Sequence, residues 1–308
     1  MIGQLIQRFT RFESRPYEKF WQAYLYILPG FVIYALFVLL PIVSTVRYSL
    51  TEWTGFSAPT YIGLANYERL ANDSIFWNAL GNNAFFVVFY SILPILLGLL
   101  LTSLIARGQL RGMVLFRTGL FIPQVMSMVV VGIIWRWLFD FRGPINSFLR
   151  DVGLAGWVRP WLGDFTWAPY ATGAVGTWVQ YGFCMVLFIA GMQSISEDLY
   201  DAAKVDGAGA WRQFRFVTVP GLQQHILVAF VVTFIAALRV FDLVFVLTRG
   251  GPGRETQVVS MLIYQEAFEF HRAGYGAAMA LVMTVLIVTV SGSVFYLQSR
   301  QEGQDDAR

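Results

Sequence analysis

Two ionisable residues stand where a membrane-embedded chain can least accommodate them. Arg239 and Asp242 are the only charges between Phe216 and Leu247, and each costs about 2.5–3.5 kcal/mol at the centre of a membrane helix. Their i, i+3 spacing on a continuous helix predicts a mutual ion pair that reduces this cost. Such a pair either lines or gates a polar pathway, or is structural at a subunit interface. Two sets of uncharged residues lie nearby at helical spacing. Gly176, Val179, Gln180 and Phe183 share one helix face, and Thr233, Ala236, Ala237 and Val240 share another. Of these, Gln180 and Thr233 can hydrogen-bond hydroxyl groups. Arg136, between Trp135 and Trp137, is placed to snorkel toward a membrane interface.

Bond-making chemistry has no comparable signature. Neither lysine, Lys19 or Lys204, follows a glycine, so the chain holds no phosphate-binding loop of the form Gly-x4-Gly-Lys-Ser/Thr. Metal-ligand spacing and a nucleophile elbow are also absent. Cys184 lies in an apolar stretch and reads as a small buried hydrophobe. His225 and His271 read as structural. The chain is therefore non-catalytic on this reading and needs energy from another subunit or from an ion gradient.

The elements that must carry these residues follow from composition. Only 13% of the 308 residues are charged and 56% are hydrophobic, against about 25% charged in soluble domains, so the bilayer is the solvent. A net charge of +3 is too small and too scattered for nucleic acid. Six stretches are long and apolar enough to span: Phe20–Val46, Ala84–Ala106, Thr118–Trp135 (continuing to Phe139), Ala168–Ser196, Phe216–Leu238 (apolar to Leu247) and Ala273–Ser299. The expected fold is all-α, a polytopic membrane protein with six transmembrane helices. The first span is too long, and lacks the small-residue pattern, for a cleaved signal peptide.

Six spans place both termini on one side. That side collects Arg8, Arg11, Arg15 and Lys19, then the basic residues of loops 107–117 and 197–215 and of the tail. The other side holds Arg69, Arg142, Arg150, Arg159, Arg249, Arg254 and Arg272. The excess of positive charge assigns the termini to the cytoplasm. Residues 1–20 carry Ile2, Leu5, Ile6, Phe9 and Phe12 at helical spacing, which predicts a cytoplasmic interfacial arm. The transmembrane domain then covers 21–299 and a cytoplasmic tail 300–308.

The segment between spans four and five is the most specific. Ser196 suits a helix N-cap, and Glu197 and Asp198 sit where the helix dipole favours acids. Ala202 and Ala203 give a smooth face, Gly207 and Gly209 stop the helix, and Pro220 suits the start of another. This spells a short helix held beneath the membrane. Asp201-Ala202-Ala203-x3-Gly207-x9-Val217-x-Val219-Pro220 resembles the Glu-Ala-Ala-x3-Gly-x9-Ile-x-Leu-Pro loop of binding-protein-dependent ABC importer permeases, with identical spacing and three conservative departures. Tyr26-Ile-Leu-Pro-Gly-Phe31, Ile62-Gly-Leu-Ala-Asn-Tyr67, and Phe241-Asp242 followed by Leu247-Thr-Arg-Gly-Gly-Pro252 and Thr256 are similar to the first of the two paired permeases of maltose-type sugar importers.

The resemblance implies a cytoplasmic coupling helix in loop 197–220, with Asp201, Ala202, Ala203 and Gly207 docking on an ATPase subunit. It implies that Gly176, Val179, Gln180, Phe183, Thr233, Ala236, Ala237 and Val240 line a sugar pocket, where Phe183 can stack on a sugar face. Ala236, Ala237 and Val240 carry no polar group, so contacts there differ from a polar pocket. It further implies a second permease, an ATPase dimer holding ATP and Mg, an external substrate-binding protein that meets the Gly250-Gly251-Pro252 turn, and a bacterial or archaeal inner-membrane location. The identity of the sugar is left open. A self-sufficient secondary transporter or channel is the alternative, with Arg239 and Asp242 as its ion-coupling candidates.

Overall fold

The computed structural model describes residues 20–105 and 113–305, and these are helical almost throughout. The arm expected over 1–20 lies outside the described residues except for Phe20, as do residues 106–112 and 306–308. Span one is one continuous helix, α1 (Phe20–Tyr34) and α2 (Leu40–Ser49), joined by a π-helical turn at Ala35–Leu39. A short hairpin (Thr51–Glu52 with Thr60–Tyr61) and α3 (Ala65–Ala71) lead into span two. That span is α4 (Ser74–Val87) and α5 (Leu93–Ile105), joined by a second π turn at Val88–Ile92.

Three of the four π turns among the described residues end two residues before a proline: these two, before Pro41 and Pro94, and one at Phe214–Thr218, before Pro220; the fourth, at Gln265–Glu269, does not. Proline lacks the N–H that would serve the carbonyl four residues back, and its ring crowds that carbonyl. Widening the preceding turn to an i→i−5 bond, as in Leu40 N–H to Ala35 O, relieves the crowding without breaking the helix.

Span three departs from the expected single run Thr118–Trp135. It is split into α6 (Met113–Val125) and α7 (Met128–Leu138), bent by 103°. Pro123 weakens the end of α6, and Ser127 is extended at φ −59°, ψ 133°. After α8 (Pro144–Asp151) comes span four, α9 (Trp167–Met192), the longest uninterrupted α-helix with described side chains throughout. Then follow α10 (Glu197–Val205), α11 (Ala210–Gln213), the third π turn and α12 (Val219–Gly221). Span five is α13 (Gln223–Leu238), set at 69° to the segment before it. It stops at Leu238, short of the expected continuation to Leu247, and a separate α14 (Asp242–Leu247) follows. The chain ends with α15 (Val259–Tyr264) and α16 (Ala273–Asp305). Among the described residues, four helices are long and apolar enough to cross a membrane, or up to six if each bent pair is one span.

The bundle is organised around α9, which packs against α5, α6 and α13. Lipid tails are as apolar as the helices, so close fit rather than water exclusion holds such helices together. Gly98 faces Cys184 so closely that a Cβ at 98 would lie 2.7 Å from that of Cys184. Gly182 lies against the Leu120 carbonyl, where a Cβ would come to 2.9 Å. Cys184 is fully buried there, as a small apolar filler. Buried polar links between helices include Ser91 to Thr233 at 2.7 Å and Thr102 to the Met185 carbonyl at 3.2 Å.

Candidate functional site

The break between α13 and α14 is built by one side chain from span two. Asn83, fully buried, donates through Nδ2 to the carbonyls of Ala237 (3.2 Å) and Leu238 (3.3 Å). Its Oδ1 accepts the Val259 N–H at 2.9 Å. The Leu238 carbonyl, and the Ala237 carbonyl with its long contact from the Val240 N–H (3.4 Å), are thereby satisfied away from water. Its neighbour Asn82 does the same for the Arg254 and Gln257 carbonyls, at 3.0 and 2.9 Å. The chain between, Arg239–Phe241, is free to unwind, and α14 packs alongside α7, with Gly132 against Val246.

Beside this break lies a cleft of about 400 Å³ whose lining includes Tyr90, Met128, Gln180, Ala236, Arg239 and Asp242, with Val240. The ion pair expected between Arg239 and Asp242 does not form. The two ion pairs among the described residues are Lys204–Asp201 and Arg272–Glu266. The reason is the break itself: i, i+3 neighbours meet only on a continuous helix, and Arg239 is already the terminal residue of α13, at φ −99°, ψ 4°. Both side chains are exposed and line the cleft, and neither makes a hydrogen bond among the described residues.

Five of the sequence-selected pathway residues line the cleft: Gln180, Ala236, Arg239, Val240 and Asp242. The other five do not line it. Val179, Thr233 and Ala237 are fully buried, and Thr233 spends its hydroxyl on Ser91 and on the Ala229 carbonyl (2.7 Å). Gly176 is covered by the Tyr90 ring, and Phe183 packs beside the buried cluster of Cys184 and Phe188. Tyr90 was not among the expected residues. It is 2% exposed, reaches the cleft, and its hydroxyl is buried with no hydrogen-bond partner. A polar residue inside an otherwise apolar span was the available signal for Tyr90; Asn83 precedes the expected span Ala84–Ala106 and carried no such signal.

At one end of the bundle, α10 folds as the residue pattern predicts. The Ser196 hydroxyl accepts the Asp198 N–H at 3.3 Å, and Glu197 and Asp198 fill the first turn. The C-terminal end closes with a paired motif around Gly207, at φ +75°: Ala208 N–H reaches the Ala203 carbonyl (2.8 Å) and Gly207 N–H the Lys204 carbonyl (3.0 Å). That left-handed turn suits glycine. Gln213 then reaches back to the Ala208 carbonyl (2.7 Å), and Tyr200 bonds Thr218 at 3.0 Å, tying α10 to the segment leading into α13. No residue of α10 is buried. Asp201 and Ala202 are exposed and Ala203 is half-buried. A polar cavity of about 660 Å³ opens beside it, lined by Arg117, Glu197, Tyr200, Asp201, Lys204 and Gln213 among others.

At the other end, Thr248, Gly250 and Gly251 form a tight turn held by Thr256, whose Oγ1 meets Thr248 Oγ1 at 2.7 Å and donates to the Gly251 carbonyl at 2.8 Å. His271 lies near the Phe56 ring (5.3 Å), and His225 fills the space beside Gly191.

The model of the family described as binding-protein-dependent transport system inner membrane component matches residues 95–303. A probable ABC transporter permease protein of Bacillus subtilis, YurN, is 36% identical over 286 residues, covering 92% of this chain and 97% of its own. The lactose transport system permease protein LacF of Rhizobium radiobacter is 33% identical over 276 residues, covering 89% of this chain and 92% of its own. In shape, a chain of a bacterial ABC transporter involved in import of the acidic polysaccharide alginate superposes with a TM-score of 0.78 at 22% identity, covering 91% of this chain and 96% of the other.

Proposed function

We propose that this chain, which belongs to the family of binding-protein-dependent transport system inner membrane components, forms half of the path of a sugar or sugar-like solute across the inner membrane of a bacterium or archaeon. The other half is a second, similar permease, and the pair is driven by two ATPase subunits that hold ATP and Mg. An extracytoplasmic binding protein delivers the solute at the end carrying the Gly250-Gly251-Pro252 turn. Both termini and α10 then face the cytoplasm, in keeping with the basic excess there.

The observation that carries the reading is α10. A helix with capped ends, no buried residue and stiff connections to two spans has a free face to offer, with Asp201 and Ala202 on it. Small side chains there let a partner backbone approach closely. When ATP binding closes the ATPase dimer, α10 moves with the subunit it docks on, and the two spans it joins follow. The cleft at the α13–α14 break is then presented alternately to the two sides. Gln180, Ala236, Arg239, Val240 and Asp242 line it, and Gly176, Val179, Phe183, Thr233 and Ala237 pack within the same two spans without lining it. The relatives named for lactose, trehalose/maltose and starch degradation products support a saccharide as the cargo.

The test is uptake of labelled saccharide by liposomes holding the complete importer with its binding protein. Ala203→Trp should abolish ATP-dependent uptake and detach the ATPase subunits from the purified complex. Uptake by this chain alone under an ion gradient, without ATP, would overturn the proposal.

A further inference from the structure

A separate cavity, of about 380 Å³, lies where span one ends at Ser49 and span six begins at Ala273. Its frame is held by hydrogen bonds. Asn66, 7% exposed, donates to the carbonyls of Ser49 (2.9 Å) and Thr51 (3.0 Å). The Ile62 N–H reaches the Leu50 carbonyl at 3.0 Å, and the Gly274 N–H reaches the Trp53 carbonyl at 3.1 Å. The hairpin, α3 and the first turn of α16 are thereby fixed around one opening.

Arg69, Arg272, Glu52 and His271 line it. Arg69 lies over the Tyr275 ring, 4.1 Å from its centroid, and makes no hydrogen bond or ion pair among the described residues. Glu52 is exposed, and its carboxylate is likewise unpaired among them. Arg272 has one long contact, 3.5 Å, to Glu266. The nearby Asp73 carboxylate is already engaged by the Tyr275 hydroxyl (2.6 Å) and the Ile75 N–H (2.9 Å). Around the opening the surface is aromatic: Phe56 and Tyr61 of the hairpin, and Phe268 and Phe270 before α16, are all exposed. Aromatic rings at the ends of membrane helices sit at headgroup depth, so the pocket opens among lipid headgroups.

The charges select among occupants. Guanidinium groups match phosphate oxygens, and a carboxylate accepts from an ammonium. An acidic side chain of a partner protein would gain the arginines but meet the like charge of Glu52. Free phosphate meets the same conflict and makes no use of the exposed rings. A phosphodiester that carries a primary ammonium answers both signs of charge, and its acyl chains continue past the rings into the bilayer. Pockets between membrane helices are known to hold lipid headgroups in this way, and the volume is within the range of small-ligand sites. We propose that this pocket binds a phospholipid of the phosphatidylethanolamine type, with its phosphate on Arg69 and Arg272 and its ammonium on Glu52. In the orientation proposed above, the lipid belongs to the outer leaflet.

The experiment is native mass spectrometry of the purified full-length chain, with any subunits that co-purify, titrated with one phospholipid at a time. The probes are phosphatidylethanolamine, phosphatidylglycerol (no ammonium) and phosphatidylcholine (no N–H), with matched acyl chains. Glycerophosphoethanolamine and inorganic phosphate serve as soluble competitors. The wild type should bind its first phosphatidylethanolamine at least tenfold more tightly than either other lipid. Arg69→Gln should weaken that binding about 10–100-fold, as expected for losing a hydrogen bond to a charged group. Glu52→Gln should weaken phosphatidylethanolamine but not phosphatidylglycerol, and so remove the preference. Both residues are exposed, and general damage could not produce the selective loss at Glu52.

Equal wild-type affinity for the three lipids overturns the assignment, as does an unchanged affinity in Arg69→Gln or an equal loss of both lipids in Glu52→Gln. Competition by either soluble compound at lipid-like affinity would transfer the site to a free solute. Release of the lipid on adding the external binding protein would transfer it to that partner, and either result overturns the proposal. The measurement needs no transport, so its failure would leave the importer reading untouched.

Discussion

Replacing Asn83 should be among the most damaging single changes in the bundle, although the residue touches no solute in the proposed path. Its three hydrogen bonds join span two to the end of α13 and the start of α15. If the side chain is cut to alanine, the Ala237 carbonyl retains a long contact from the Val240 N–H at 3.4 Å. The Leu238 carbonyl and the Val259 N–H retain nothing, and residue 83 is fully buried. Each orphaned buried group costs about 1–3 kcal/mol, so the pair costs about 2–6 kcal/mol before any cavity is counted. Asn83→Leu preserves the volume and isolates the hydrogen-bond loss. Asn82→Ala is the internal control, because its bonds to Arg254 and Gln257 sit at a half-buried position and should be worth about 1 kcal/mol. Unfolding of the purified full-length chain by SDS in mixed micelles gives the differences directly. A loss under about 1 kcal/mol for Asn83→Leu, or one no larger than that of Asn82→Ala, would refute the idea that this residue stabilises the break.

Other substitutions separate packing from charge in the same unfolding assay. Gly98→Leu forces a side chain into the Cys184 contact and should cost about 1–3 kcal/mol by overpacking, together with a loss of bundle assembly on size-exclusion chromatography. Lys204→Ala removes an ion pair whose side chains are 63% and 68% exposed, and should change stability by less than about 0.5 kcal/mol. Gly207→Ala introduces a Cβ that meets nothing within 4 Å, so its cost should be only the left-handed strain, about 1–2 kcal/mol. A larger value would mean that α10 is packed more tightly than its exposure indicates. Ser196→Ala should cost about 1 kcal/mol through loss of the N-cap.

What could be read from the residues was what depends on neighbours in sequence. The apolar runs marked the spans because composition over about 20 residues decides membrane insertion. The ends of α10 were legible from Ser196 and Gly207 because caps are local devices. Hydropathy carries no direction, however, so it treated the two halves of span three as one run. Pro123 was the available hint of a break there. The ion pair between Arg239 and Asp242 was inferred from helix continuity, and that continuity is ended by Asn83, which lies more than 150 residues earlier in the chain. No local pattern encodes such a contact. The same limit divided the pathway residues. Spacing placed Val179 and Gln180 on one face, but the position of Tyr90 and span two decided that Gln180 reaches the cleft while Val179 is sealed.

The short tethers of α10 have a mechanical meaning. Only the turn at Gln193–Ser196 separates it from α9, and the single residue Leu222 separates α12 from α13. Ile195 is seated against Gly221, bracing one tether on the other, and the Tyr200–Thr218 bond closes the triangle. On the proposed reading, a push on the exposed helix would pass through these short links to the Leu222 elbow and be felt at the far end of the 16-residue α13, some 24 Å away.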